Sequence, residues 1–118
     1  MRLDFFPKYS FINLALFPKE QDELIGFCGF RFLDDTTEIE IIYGIIPSYW
    51  GIGLATEAVK AAIEYGFEKQ HFERIVAANT ENIASLRVMQ LAGMKYEKHT
   101  VESDRDVVYY VVSRDAWL

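Results

Sequence analysis

The stretch Glu38–Phe67 reads EIEIIYGIIPSYWGIGLATEAVKAAIEYGF, and the spacing of its apolar residues changes partway along. Up to Ile46 it is rich in aromatic and β-branched residues, the composition of a strand. After Pro47 the apolar residues Ala55, Ala58, Val59, Ala62, Ile63 and Phe67 recur at steps of three and four, with Glu57, Lys60, Glu64 and Glu68 on the other side. That spacing predicts an amphipathic helix. The first turn of a helix carries unpaired N–H groups and the positive end of the macrodipole, and residues as small as Gly51, Gly53 and Ala55 let a phosphate approach the backbone there. Taken alone, a Gly-x-Gly-x-Ala turn is a weak signal, since glycines before a helix often only shape the loop. Two familiar phosphate loops are excluded: no Gly-Lys-Ser/Thr follows, and the elements upstream are not a dinucleotide-binding βαβ unit.

Working outward, Phe11–Phe17 and Leu24–Leu33 are two further strand candidates. The polar connection Pro18–Glu23 and the tight-turn cluster Asp34-Asp35-Thr36-Thr37 make an antiparallel run of three with Glu38–Ile46. Downstream, Arg74–Asn79 is a short strand. A second helix runs from a cap at Asn82 to a stop at Gly93, and Met94–Val101 with Val107–Val112 form a hairpin around the charged loop Glu102–Asp106. The predicted order is β-β-β-α-β-α-β-β, an α/β (α+β) domain with a mixed, mostly antiparallel sheet flanked by helices. No repeat or linker divides it, so residues 1–118 are read as a single domain.

Composition narrows the function. A formal net charge of −6 argues against a surface that tracks nucleic acid, which needs clustered Lys and Arg. The single cysteine, Cys28, has no internal partner and lies in an apolar run, so it is read as a buried structural thiol in a cytoplasmic protein. No apolar stretch approaches bilayer-spanning length, and no membrane partner is expected. His71 and His99 lack ligands at metal spacing, so no metal is expected. The apolar strands and aromatic surplus would permit a homodimer.

The run Glu40–Ala58, followed by Asn79, by Asn82-Ile83-Ala84-Ser85 and by Ala92-Gly93-Met94, resembles the GCN5-related N-acetyltransferases. Within them it is most similar to the branch of ribosomal-protein N-terminal acetyltransferases. The likeness extends from about Phe11 to the terminal Ala116-Trp117-Leu118. It implies that acetyl-CoA is the acetyl-donor cosubstrate and that a primary amine, on a protein N-terminus or a small molecule, is the acceptor in a direct transfer. It implies further that the backbone of Gly51, Ile52, Gly53, Leu54, Ala55 and Thr56 holds the CoA pyrophosphate, with Trp50 packed beside it. Tyr43, Gly44, Ile45 and Ile46 would pair with the pantetheine arm, while Asn79 and Asn82 would contact cofactor or acceptor. Asn82 reads equally as an ordinary helix cap.

For the chemistry, the resemblance implies Glu40 as the base, directly or through water. A carboxylate inside an apolar strand would have a raised pKa suited to that work, although Glu38 and Glu40 also read as an alternating pair on a solvated face. The superfamily's frequent tyrosine acid, four residues before the helix-ending glycine, is replaced by Met89. Ser85 is then the group near the thioester sulfur that would hydrogen-bond the departing thiolate; it reads equally as an ordinary residue of the helix's first turn. The branch also has an opening strand and one or two helices that build part of the acceptor site, and these are not found in the sequence. Their absence supports an alternative, a non-catalytic CoA-binding or interaction module with an incomplete acceptor site.

Overall fold

A computed structural model describes residues 2–5, 12–17, 24–33, 36–49, 51, 53–79 and 83–117. Within them the strands are β1 Arg2–Phe5, β2 Ile12–Phe17, β3 Gly26–Phe32, β4 Ile39–Ile45, β5 Arg74–Asn79, β6 Lys95–Glu102 and β7 Arg105–Ser113. The helices are α1 Leu54–Glu68, α2 Ile83–Leu91 and the short α3 Arg114–Trp117. The strands form one sheet in the order β1-β2-β3-β4-β5-β7-β6. Every neighbouring pair is antiparallel except β4 with β5, as expected of a mixed, mostly antiparallel sheet.

One expectation is overturned. An opening strand does exist: Arg2–Phe5 pairs with β2 in the register Arg2↔Phe17 to Phe5↔Leu14. Its four residues are too few to show an alternating pattern, which is why the sequence hid it. Two ends also differ. The charged loop Glu102–Asp106 contracts to a two-residue turn, because Ser103 and Asp104 both take left-handed φ values of 51° and 62° and let Glu102 pair with Arg105. The last residues turn into α3, which lays Trp117 against Phe67 with ring centroids 6.1 Å apart.

The register assigns the faces. Cys28 and Phe30 of β3, Ile41 of β4, Ile75 and Ala77 of β5 and Tyr110 and Val112 of β7 point to one side, where they pack with Val59, Ala62, Ile63 and Phe67 of α1 and Met89 of α2. Both long helices therefore cover the same face, and that face holds the main core. The helix-stop reading of Gly93 holds as well: at φ 93° its N–H bonds Gln90 O at 3.1 Å while Met94 N–H bonds Met89 O at 3.0 Å, a closed Schellman end for α2. Cys28 is fully buried, and burial pushes its thiol up to about 12.

Candidate active site

The helix that begins the site, α1, starts on Gly53. Gly51 and Gly53 have φ values of 80° and 82°, a region open to glycine at little cost, and a methyl group built on either would meet nothing within 4 Å. Both are exposed, and no side chain caps the helix through Gly53. Among the described residues the 15-residue helix thus begins on two exposed glycines, with Leu54, Ala55 and Thr56 half-buried behind the turn. Trp50, Ile52 and Asn82, also expected at this site, lie outside the described residues.

Beside that turn the sheet parts. β4 and β5 are paired only at Ile39↔Ile75 and Glu40↔Val76. Beyond those two pairs β4 runs on to Ile45, still matched to β3, and β5 runs on to Asn79, still matched to β7. Two parallel strands that separate in mid-sheet leave a wedge between them, edged by peptide groups the ladder does not use. Tyr43, Gly44 and Ile45 stand on one edge of the wedge and Ala77, Ala78 and Asn79 on the other. Asn79 closes its strand opposite Val108. The exposed Ile46 continues the β4 edge, its N–H bonded to Ile25 O at 2.9 Å.

On the helix-covered face, the Tyr43 hydroxyl donates to Ser85 Oγ at 2.9 Å and ties the stretch of β4 that has left β5 to α2. Burial raises the Tyr43 phenol above its ordinary value, against the opposing pull of the Ser85 hydroxyl. Met89, one turn further along α2, is a buried core residue. The Tyr43 hydroxyl was missed by sequence reading, which used only that residue's backbone. A contact across 42 positions leaves no local signal.

Glu40 faces the other way, at the point where the wedge opens. It is 5% exposed, whereas the Glu38 side chain is 40% exposed, which separates two carboxylates that the sequence could not tell apart. Glu40 is not the isolated carboxylate expected of an apolar strand: Arg31, directly opposite on β3, donates from Nε to Glu40 Oε1 at 2.8 Å. That partner was legible, since a turn expected at 34–37 from the sequence would place residue 31 across from residue 40, the register observed. On this same face Arg74 donates to Glu38 at 3.3 Å and to Glu97, and the contact with Glu97 is the main reason its guanidinium is held above its ordinary value. Next to them lies a cavity of about 270 Å³ lined by Leu33, Thr36, Glu38, Val76, Glu97, Lys98, Glu102 and Tyr109. It adjoins the wedge at Val76 and includes neither Ser85 nor the turn at Gly51.

The remaining candidates fall elsewhere. His71 is exposed, and His99 pairs with Asp106 at 2.9 Å on the hairpin. Tyr109 and Tyr110 are buried on opposite faces, Tyr109 donating to Glu102 and Tyr110 accepting from Gln90 at 2.9 Å. Glu102 is held below its usual range by the Thr100 and then the Tyr109 hydroxyl. Among the described residues no group of three His, Cys, Asp or Glu side chains could hold a metal, and no helix is long and apolar enough to cross a membrane.

Comparison with known proteins relates this chain to acetyltransferases. Residues 4–95 match the model of the acetyltransferase (GNAT) domain, and the chain belongs to that family. It is 36% identical over 87 residues to the uncharacterized N-acetyltransferase p20 of Bacillus licheniformis, a match covering 72% of this chain and 49% of that protein. Spermidine N-acetyltransferase from Vibrio cholerae superposes with a TM-score of 0.80 at 20% identity, covering 91% of this chain and 68% of the other. Aminoglycoside acetyltransferase AAC(6')-Ib in complex with coenzyme A superposes with a TM-score of 0.77 at 22% identity, covering 90% and 66%. The chain spans about half the length of the curated relative p20.

Proposed function

We propose that this domain binds acetyl-CoA and transfers its acetyl group directly to a primary amine. The observation that carries the reading is the parting of β4 and β5 after Glu40 and Val76, in a chain whose next helix starts on the exposed Gly53. An extended arm bearing amides fits between the two strands where they part, and a diphosphate fits against the α1 amides. The CoA bound by AAC(6')-Ib is the molecule of that shape among the fold's relatives. Its thioester would then lie where the wedge closes, with Ser85 on the helix-covered side and Glu40 on the other.

The acceptor enters from the Glu40 side. The adjoining cavity carries Glu38, Glu97 and Glu102, which suits a cationic acceptor; the attacking amine gives its first proton to solvent, and Glu40 takes the second as the neutral nitrogen adds to the carbonyl. The Arg31 contact holds the Glu40 carboxylate in place.

The test is a titration of acetyl-CoA by calorimetry, followed by CoA release assayed with spermidine, an aminoglycoside and peptides with free N-termini. Acetyl-CoA should bind, and at least one amine should be acetylated. In Glu40→Gln, kcat should fall about 100-fold with little change in acetyl-CoA affinity, the size of a lost general base. Binding without turnover on any amine would favour a CoA-binding module over an enzyme. Absence of acetyl-CoA binding would end the proposal.

A further inference from the structure

β6 stands at the end of the sheet: among the described residues it pairs with β7 and with no other strand. Its eight residues, KYEKHTVE, carry two large apolar side chains in the open, Tyr96 at 58% and Val101 at 69% exposure. An edge strand can add a further strand through its backbone, and lysines and bulges are the ordinary devices that discourage it. β6 has lysines at 95 and 98 and a bulge at Glu97, yet here they make the strand complementary to itself.

The bulge decides this. Tyr96 is opposite Tyr110 and Lys98 opposite Tyr109, so Glu97 drops out of the ladder and seven paired positions remain, with His99 in the middle. Under strict alternation residues 96 and 101 would point to opposite faces. The residue taken out by the bulge brings them to the same one. Tyr110 lies in the core under the helices, and Asp106 falls on that side of β7 by alternation, so their partners Tyr96 and Val101 both stand on the helix-covered side. Lys95, Lys98, Thr100 and Glu102 stand on the other. Laid antiparallel on a second copy about a twofold axis through His99, the strand sets Lys95 against Glu102, Tyr96 against Val101 and Lys98 against Thr100. Each pair shares a face, and no two lysines and no two carboxylates are opposed. His99, on the axis, is held by Asp106 of its own chain at 2.9 Å.

We propose that β6 joins two copies of this chain in a symmetric dimer through this register, which uses the whole strand. The two seven-stranded sheets become continuous, and the twofold axis makes the Lys95–Glu102 and Tyr96–Val101 pairs twice each. Lys95 of the second copy comes beside Glu102, which lines the cavity next to the wedge.

Sedimentation velocity on the whole chain tests the pairing, over about 1–100 μM to suit an interface of modest size. The wild type should pass from monomer to dimer within that range. Lys95→Glu opposes carboxylates at both ends of the ladder and Glu102→Lys opposes lysines, so each should raise the dimer Kd about tenfold or more. The two substitutions combined restore opposite charges and should return Kd to within about threefold of the wild type, which also shows that neither acts by unfolding the chain. A wild type that stays monomeric throughout, single variants that dimerise as the wild type does, or a combined variant that stays weak would each overturn the interface. None of these outcomes depends on acetyl transfer.

Discussion

The two faces of the sheet are built from different materials. On the covered face, Phe30, Ile63, Phe67 and Ile75 are fully buried, and the polar contacts among the described residues include the Tyr43–Ser85 and Gln90–Tyr110 pairs. On the opposite face Arg31 binds Glu40, Arg74 binds Glu38 and Glu97, Lys98 lies 4.9 Å from the Tyr109 ring centre, and Glu102 takes the Tyr109 hydroxyl. One face stores the hydrophobic free energy of folding, and the other spends its side chains on charge. The wedge between β4 and β5 is the place where a molecule can touch both, which is why candidate catalytic groups occur on each side of it.

Truncating the same residue type should have very different consequences on the two sides. Phe67, wholly buried among α1, Trp117 and the strands, should cost about 3–5 kcal/mol as Phe67→Ala, the range for a large core side chain with a cavity left behind. Phe27 lies on the other face, 41% exposed, with its ring over Gly44. Phe27→Ala should cost less than about 1 kcal/mol by the same denaturant titration, the usual size for a change away from the core. Equal losses would mean that the second face is also a core, covered by chain beyond the described residues.

This asymmetry also explains what was legible. Glu38–Phe67 announced its own structure because a strand and an amphipathic helix differ in period, and α1 emerged within one residue of the first periodic alanine. Gly93 read correctly as a helix stop because an αL residue after an apolar repeat has few other uses. The parting of β4 from β5 had no such signature. Strand separation depends on pairing between residues 36 positions apart, and neither Ile41–Ile45 nor Ala77–Asn79 differs in composition from a strand that stays paired. Tyr43 and Ser85 met for the same nonlocal reason. The resemblance could name Glu40 and Ser85, but only the fold set them on opposite faces.

A second difference should emerge at high pH. Cys28 is buried on the covered face with its thiol pushed up to about 12, while in the unfolded chain it ionises near its ordinary value. Between those two values the unfolded state releases a proton that the folded state keeps, so stability is intact below about pH 9 and falls as pH rises, by about 1.4 kcal/mol per unit. Urea midpoints measured from pH 8 to 11 should fall along that slope in the wild type. Cys28→Ala should flatten the part due to the thiol and leave only the smaller contribution of the raised Tyr43 phenol. Parallel curves for the two proteins would show that the unfolded thiol gains nothing by ionising.

The charged face should answer to salt instead. Arg74 sits on β5 between Glu38 and Glu97, and the side chains of all three are between 26% and 40% exposed, so each contact is screened and worth at most about 1 kcal/mol. Arg74→Ala should therefore lower stability by about 1 kcal/mol in low salt, with most of that difference gone in 1 M sodium chloride, where the screening length is about 3 Å. A penalty that persists in high salt would have to come from the arginine's methylene stem packing on the sheet, and would place Arg74 with the apolar face's economy of contact area in spite of its position. The acceptor side of the wedge would then be held in shape by packing, and substitutions at Glu38 or Glu97 should leave the geometry around Glu40 undisturbed.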